Sequence, residues 1–399
     1  MSVAPSDVNP VEGSRNQQYL RVLLLGVSAF VFNTTEFVPV GLLTDIAKEF
    51  GIQTAHAGWM LTIYAWIVAG MSLPLMLVTR NVERKSLLFA TFFLFIASHI
   101  LSVLAWSFEV LVVSRIGVAL SHAVFWSITA SIALRVAPPS KKTFALSVLA
   151  TGTSLAMVLG VPVGRIIGQW LGWRFTFVLI AIVALVTLIA LMKLLPRLPS
   201  LFTGTLRKVP ELLHNKLLLL LYGFVFVLFT SHYTVYSYIE PYLQQVGNIS
   251  PGYTTLMLLL FGGAGIIGSM CYSFFGEKYA RQLVVISTLM MIIMMAVLQF
   301  VVASVGMVAL VTLFWGMALT ITILTIQARV LGVDTGASDI IMSMFSGIIN
   351  LGIGAGALVG GKSLLWFSLP SLGYVGALIA LIALAILVIT LRYTANQAR

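Results

Sequence analysis

The sequence predicts an all-α integral membrane protein with twelve spanning helices in two six-helix halves, on three observations. The 399 residues are 60% hydrophobic and 9% charged, with a mean hydropathy of +1.05, whereas a soluble domain carries roughly 25% charge. Apolar runs of about 20 residues, long enough to cross a bilayer, recur along the whole chain. The long polar stretch PRLPSLFTGTLRKVPELLHNK falls midway between them.

Residues 1–18 are polar, with Pro5, Asp7, Pro10, Glu12 and Arg15, and read as a disordered cytoplasmic tail without a cleavable signal. Six apolar runs follow, near 20–43, 55–78, 86–106, 110–136, 143–169 and 173–195, making residues 19–195 the first bundle. Residues 196–216 form the expected cytoplasmic linker. Six more runs, near 217–242, 253–275, 282–303, 305–328, 338–361 and 369–391, make 217–391 the second bundle, and 392–399 a C-terminal cytoplasmic tail.

The net charge of +11 is spread over short clusters between runs, the pattern of orientation signals rather than of nucleic-acid binding. With the N-terminus inside, Arg80, Arg84, Lys85, Arg135, Lys141, Lys142, Arg197, Arg207, Lys208, Lys278, Arg281 and Arg329 are cytoplasmic. Lys48, Arg174 and Lys362 are external. Arg115 and Arg165 fall within spans. The single cysteine, Cys271, lies in an apolar run, which excludes a disulfide, and no metal site is expected. There is no H-E-x-x-H, no P-loop and no nucleophile motif, so no catalytic residues are assigned and an intramembrane enzyme is disfavoured.

The halves echo each other. The fifth run carries GTSLAMVLGVPVGRIIG and the eleventh SGIINLGIGAGALVG, while the first run contains Glu36 and the seventh His232 and Glu240. Repeated halves with interrupted helices at matching places point to alternating access around a midplane site, which a carrier needs and a channel does not.

Glu36 stands in NTTEFVPVGLL, inside the first run. A carboxylate there must face water or protein, hold a partner, or be protonated. At a rise of 1.5 Å per residue, Glu36 lies about 22 Å along its helix, and Arg115, on a helix running the other way, reaches a similar depth. An ion pair between them is expected, either as a coupling element broken by protonation or as a permanent structural pair. His122 follows Arg115 by two turns and shares a face with it, Trp126 and Thr129. It is a proton-relay candidate against the alternative of a packed histidine. His232, Tyr236 and Glu240 share a face of the seventh helix. His232 and Tyr236 are candidate substrate contacts, whereas Glu240, before Pro241, reads as a solvated helix end whose function stays open. Asn33 and Asn350 lie near the midplane, as substrate contacts or as interhelical hydrogen-bonding groups. Phe37 joins the candidate substrate contacts. His99, Gln327 and Trp315 read as packing, and Asp339 as a helix cap.

Several stretches resemble the major facilitator superfamily, in its drug/proton antiporter branch. LVTRNVERKSLL is similar to the charged loop signature between helices two and three, without its glycines and aspartate. LVVSRIGVALSHA resembles the helix-four signature, with Arg115 in the arginine position, and GVPVGRIIG resembles the helix-five antiporter signature through Gly160, Pro162, Gly164 and Gly168. With NTTEFVPVGLLTDIA, FWSITAS and EPYLQQV, the likeness extends over nearly the whole chain, and within the branch it is to bacterial sugar efflux transporters of the arabinose and isopropyl-thiogalactoside type. The resemblance implies a bacterial inner-membrane antiporter that exports small sugars or their analogues against proton entry. Glu36, His122 and Arg115 would couple protons. Gating would fall to Gly160, Pro162, Gly164, Gly168, Arg80, Glu83 and Arg84. No cofactor is implied beyond the proton gradient, and the partners are a small-molecule substrate, protons and the lipid bilayer, with no nucleic acid and a monomeric state. A drug, nucleoside or amino-acid exporter of the same fold is the alternative, and a transport-inactive sensor a more distant one.

Overall fold

The computed structural model describes residues 14–138, 141–200, 209–334 and 338–397. Among these there is no strand, and twelve helices are long and apolar enough to cross a membrane. In order these spans are Arg15–Gly41, Thr54–Val78, Arg84–Leu104, Phe108–Val136, Lys142–Leu171, Trp173–Leu194, Lys216–Tyr236, Pro251–Gly276, Lys278–Val301, Val305–Leu331, Ile340–Trp366 and Leu369–Asn396. The side chain of Asp339, expected to cap a helix, and most of the expected N-terminal tail lie outside the described residues.

Local chemistry sets the helix ends. The Glu83 carboxylate accepts from the Lys85 and Ser86 amides at the start of the third span, and Ser107, Asn215 and Ser250 cap the fourth, seventh and eighth. These side chains satisfy amides that the first helical turn leaves without partners. Gly172, with φ +88°, makes the turn between the fifth and sixth spans, in a region that favours glycine. The fifth span is not a uniform helix. Residues Ala156–Gly160 form a π turn directly ahead of Pro162; proline has no N–H to give the preceding turn, and the wider turn absorbs that loss.

Among the boundaries that differ from the sequence reading, two stand out. The first helix starts at Arg15 rather than near residue 20, because a polar segment continues a helix beyond the apolar run that nucleates it. The eighth and ninth spans join in one helical stretch, Pro251–Val301, interrupted at Tyr279 (φ −122°, ψ 24°) instead of by an extended loop.

The chain forms two compact units, Met1–Val38 with Met71–Thr203, and Pro39–Gly70 with Gly204–Arg399. Inside the first unit, the first and fifth spans run close together. A Cβ at Gly152 would strike the Gly26 carbonyl, one at Gly160 would lie 2.7 Å from Thr34 Oγ1, and one at Gly164 would lie 2.7 Å from Val38 Cγ2. In the second unit the eleventh span meets the seventh in the same stepwise manner, Gly352 against Phe229, Gly356 against Tyr233 and Gly360 against Tyr238. Small residues permit this approach, which in a bilayer supplies packing that the apolar solvent does not drive. It is the physical basis of the glycine echo between the fifth and eleventh runs.

Hydroxyls inside the spans bond back to carbonyls one turn earlier, as Thr91 to Leu87 and Thr234 to Thr230 do, or reach other helices. Thr176 donates to the Gly164 carbonyl at 2.9 Å, Ser231 to that of Gly376 at 2.8 Å and Tyr222 to that of Ile341 at 2.8 Å. Each interhelical bond of this kind contributes about 0.6–2 kcal/mol.

Candidate functional site

In the first unit the buried layer around Glu36 is built from the first, third and fourth spans. Phe32, one turn before Glu36, stacks on Phe125 at 4.0 Å and on Phe95 at 4.1 Å between ring centroids. This apolar slab leaves the next turn of the first helix, Thr34-Thr35-Glu36, as a polar patch. The Glu36 side chain is 9% exposed, and its Oε2 stands 3.6 Å from His122 Nε2. At this separation the imidazole and the carboxyl lie just beyond hydrogen-bond reach, so a proton passes between them only on closer approach or through one water.

Arg115 is 1% exposed, and its donors are directed at the residue before Glu36. Nη2 donates to the Thr35 carbonyl at 2.8 Å and Nη1 to Thr35 Oγ1 at 3.1 Å. Its charge still acts on Glu36 through space. The depth argument expected Arg115 beside Glu36; His122 Nε2 is the group 3.6 Å from the carboxyl, brought there by a seven-residue step along one face, while Arg115 hydrogen-bonds the adjacent Thr35. Thr35 Oγ1 also meets His99 Nε2 at 2.8 Å. Sequence reading placed His99 in packing and passed over Thr35; the adjacency of Thr35 to Glu36 was the signal available.

Of the expected substrate contacts in this unit, Asn33 uses its amide hydrogens on the Ala29 carbonyl (3.0 Å) and Thr153 Oγ1 (3.2 Å). Phe37 is buried. Trp126 is half-buried, with its ring 6.3 Å from that of His122, and Thr129 closes on the Phe125 carbonyl.

The second unit holds an aromatic cage. The His232 ring packs against those of Tyr236 (5.0 Å) and Phe261 (5.6 Å), which also meet each other at 4.6 Å, with Trp315 edge-on at 5.3 Å and Tyr233 at 4.8 Å. His232 Nδ1 and Trp315 Nε1 are buried without hydrogen-bond partners, as is Asn350 Oδ1 on the eleventh span. Buried polar atoms left this way are costly unless something fills them. Trp315, read from sequence as packing, is fully buried in this ring cluster, and Phe261 belongs to it as well.

Glu240 is not a solvated helix end. It is 1% exposed, and its carboxylate accepts from Thr44 Oγ1 (2.6 Å), from the Thr44 amide (3.3 Å) and from the Gln244 side chain. These groups are donors, so the ionised carboxylate is the form they satisfy.

The expected gating residues occupy two places. Gly160, Pro162, Gly164 and Gly168 are buried in the fifth span. Arg80, Glu83 and Arg84 sit where the second span leads into the third, and the start of the linker is tied to them. Leu198 N–H donates to Glu83, Arg84 N–H donates to the Leu198 carbonyl at 2.8 Å, and Ser200 Oγ bonds the Arg80 carbonyl. Lys85, Arg135 and Arg21 add bonds to the carbonyls of Leu195, Pro199 and Leu194. Burial works to raise the Glu83 carboxyl, but hydrogen bonds from Leu198, Ser86 and Lys85 outweigh it and hold the group below its ordinary value.

Residues 25–338 match the Major Facilitator Superfamily. Among solved structures, the fold is similar to that of a bacterial homolog of the human lysosomal transporter Spinster in an inward-facing and occupied conformation. The TM-score is 0.78 at 16% identity, over 96% of this chain and 98% of that one. It is also similar to the nucleoside transporter NupG, with a TM-score of 0.77 at 10% identity, over 94% and 99% of the two chains.

Proposed function

The chain belongs to the Major Facilitator Superfamily, and from that premise we propose that it is a proton-coupled antiporter exporting small sugars or sugar analogues from the cytoplasm by alternating access. The observation that carries the reading is the buried Glu36–His122 pair at 3.6 Å. A titratable pair inside a membrane span is costly to keep and serves proton movement. Glu36 is the proton acceptor, His122 the relay, and Arg115 the fixed charge beside them. The second unit supplies cargo contacts: ring faces at His232, Tyr236 and Trp315 suit the CH face of a sugar, and the unpartnered His232 Nδ1, Trp315 Nε1 and Asn350 Oδ1 suit its hydroxyls. In the first unit, taken by itself, Trp126 and Phe37 are the cargo contacts. The protein sits in the bacterial inner membrane as a monomer with both termini cytoplasmic, and needs no cofactor.

Uptake into inverted vesicles under an imposed pH gradient, with a panel of sugars, drugs, nucleosides and amino acids, tests both parts. Sugar accumulation that collapses when the gradient is dissipated is expected. Nucleoside accumulation alone would favour the reading that the similarity to NupG suggests, and accumulation indifferent to the gradient would remove proton coupling.

A further inference from the structure

Arg115, Thr35, His99 and Phe95 form a chain of hydrogen bonds whose direction can be assigned. The Phe95 carbonyl, 2.8 Å from His99 Nδ1, can only accept, so Nδ1 carries the hydrogen. A second cation beside Arg115 in this buried layer would be unfavourable, so His99 is neutral and its Nε2 is a bare acceptor. The Thr35 hydroxyl therefore donates to His99 Nε2 at 2.8 Å. Its oxygen lone pairs are then left for Arg115 Nη1 at 3.1 Å, while the Thr35 carbonyl accepts from Nη2 at 2.8 Å. His99 is fully buried, its ring packed 4.2 Å from Phe95 and 5.9 Å from Phe177, and it has no spare nitrogen with which to carry a proton.

We propose that Thr35, its hydroxyl locked by His99, is a positioning residue that holds the Arg115 guanidinium on the backbone side of the first span and so keeps Glu36 open to His122. A buried arginine clamped on a carboxylate makes a pair that is costly to break, and a permanent pair cannot cycle a proton. Thr35 occupies Arg115 donors that would otherwise turn to the adjacent carboxylate. The inference rests on Glu36 being the coupling carboxylate. The titratable and charged groups near it are His122 at 3.6 Å and, through Thr35, Arg115 and His99; on the fifth span Gly164 meets Val38 and is followed by buried Arg165, and on the sixth the apolar Phe177 packs against His99.

The test needs no cargo. In purified protein reconstituted in liposomes, infrared difference spectra over a pH series follow the protonated-carboxyl stretch that is lost in Glu36→Gln. Thr35→Val should lower the midpoint of that band by roughly 1–3 pH units, the effect of an opposite charge moving onto a carboxylate. Thr35→Ser, which keeps the hydroxyl, should restore the parent midpoint, and His99→Phe should shift it in the same direction by less. Adding Arg115→Gln should erase the difference between Thr and Val at position 35. Ser102→Ala removes a bond between the same two spans, Ser102 to Ser114 at 2.7 Å, and should leave the midpoint in place. An unchanged midpoint in folded Thr35→Val overturns the proposal. So does failure of both Thr35→Val and His99→Phe to yield folded protein while Ser102→Ala folds, since the chain would then be structural only. If Glu36→Gln removes no titrating band, it is the proton-coupling reading that fails.

Discussion

Tyr238 fills the space that Gly58 leaves empty. A Cβ at residue 58 would overlap the tyrosine hydroxyl, which donates to the Ala357 carbonyl at 2.8 Å, and a Cβ at Gly361 would lie 2.7 Å from the same oxygen. The start of the second span and the end of the eleventh thus close around one ring, with Trp66 Nε1 on the Leu351 carbonyl at 3.3 Å further along. Gly58→Ala should therefore destabilise the protein by about 1–3 kcal/mol, the range for overpacking. Tyr238→Phe alone should cost about 1 kcal/mol for its hydrogen bond, and in the Gly58→Ala background it should recover part of the loss. Thermal melts of the four proteins in detergent measure the cycle, and strict additivity would show that the two residues do not collide.

Glu36→Gln imitates the protonated carboxyl with nearly the same shape. It should reduce pH-gradient-driven accumulation in inverted vesicles to background while exchange at equal pH persists, and Glu36→Asp should keep partial coupling. His122→Gln should slow driven transport at least about tenfold. Undiminished accumulation by Glu36→Gln would leave the carboxylate with a structural role only.

In the cage, Trp315→Ala and His232→Ala should each raise the half-saturation concentration for cargo about fivefold to tenfold, equivalent to roughly 1–1.4 kcal/mol. Trp126→Ala and Asn350→Ala should act in the same direction. Unchanged half-saturation in all four would place the cargo elsewhere.

Two glycine positions separate packing from propensity. Gly164→Ala puts a methyl 2.7 Å from Val38 and 3.2 Å from Thr176 and should cost about 1–3 kcal/mol. Gly263 is also helical, but has open space around it, so Gly263→Ala should be neutral or stabilising by up to about 1 kcal/mol. Melting temperatures that move together in both variants would dismiss the close crossing. Gly160→Leu and Gly164→Leu should insert in the membrane but fail to transport.

Glu83→Ala should remove a helix cap and the Leu198 tether together, costing about 0.5–2 kcal/mol and speeding tryptic cleavage at Arg197. In the parent, the folded state holds Glu83 below its ordinary value. The tether is therefore fully effective above the unfolded carboxyl range near about 4.3 and weakens as pH falls through the lower folded value. Cleavage by an acid-active protease should rise on acidification in the parent and change little in Glu83→Ala.

The twelve spans were legible because a bilayer demands long apolar runs, and the glycine echo was legible because close helix crossings leave a residue-size signature. Glu36 and His122 stood out as charges in apolar surroundings. Their pairing did not, since depth along an axis says nothing of rotation about it, and Arg115 proved to aim at Thr35. Glu240 beside Pro241 read as a wet helix end because its donors, above all Thr44, are distant in sequence. Phe261 and Trp315 stand on different spans from His232, so their meeting with its ring was not visible in the sequence.

Thr44 meets Glu240 across 196 residues of sequence, and Trp66 meets Leu351 across 285. During synthesis the stretch from Pro39 to Gly70 therefore leaves the ribosome long before the segments it packs with, and a polar group such as the Thr44 hydroxyl must wait near the bilayer surface for its acceptor. Contacts of such long range are slow to close and expose the chain to misassembly in the interval. A chain truncated after the tenth span should accordingly stay protease-sensitive where its first helix leads into its second, and a gene divided in the linker should give a second fragment that folds only when the first is made alongside it.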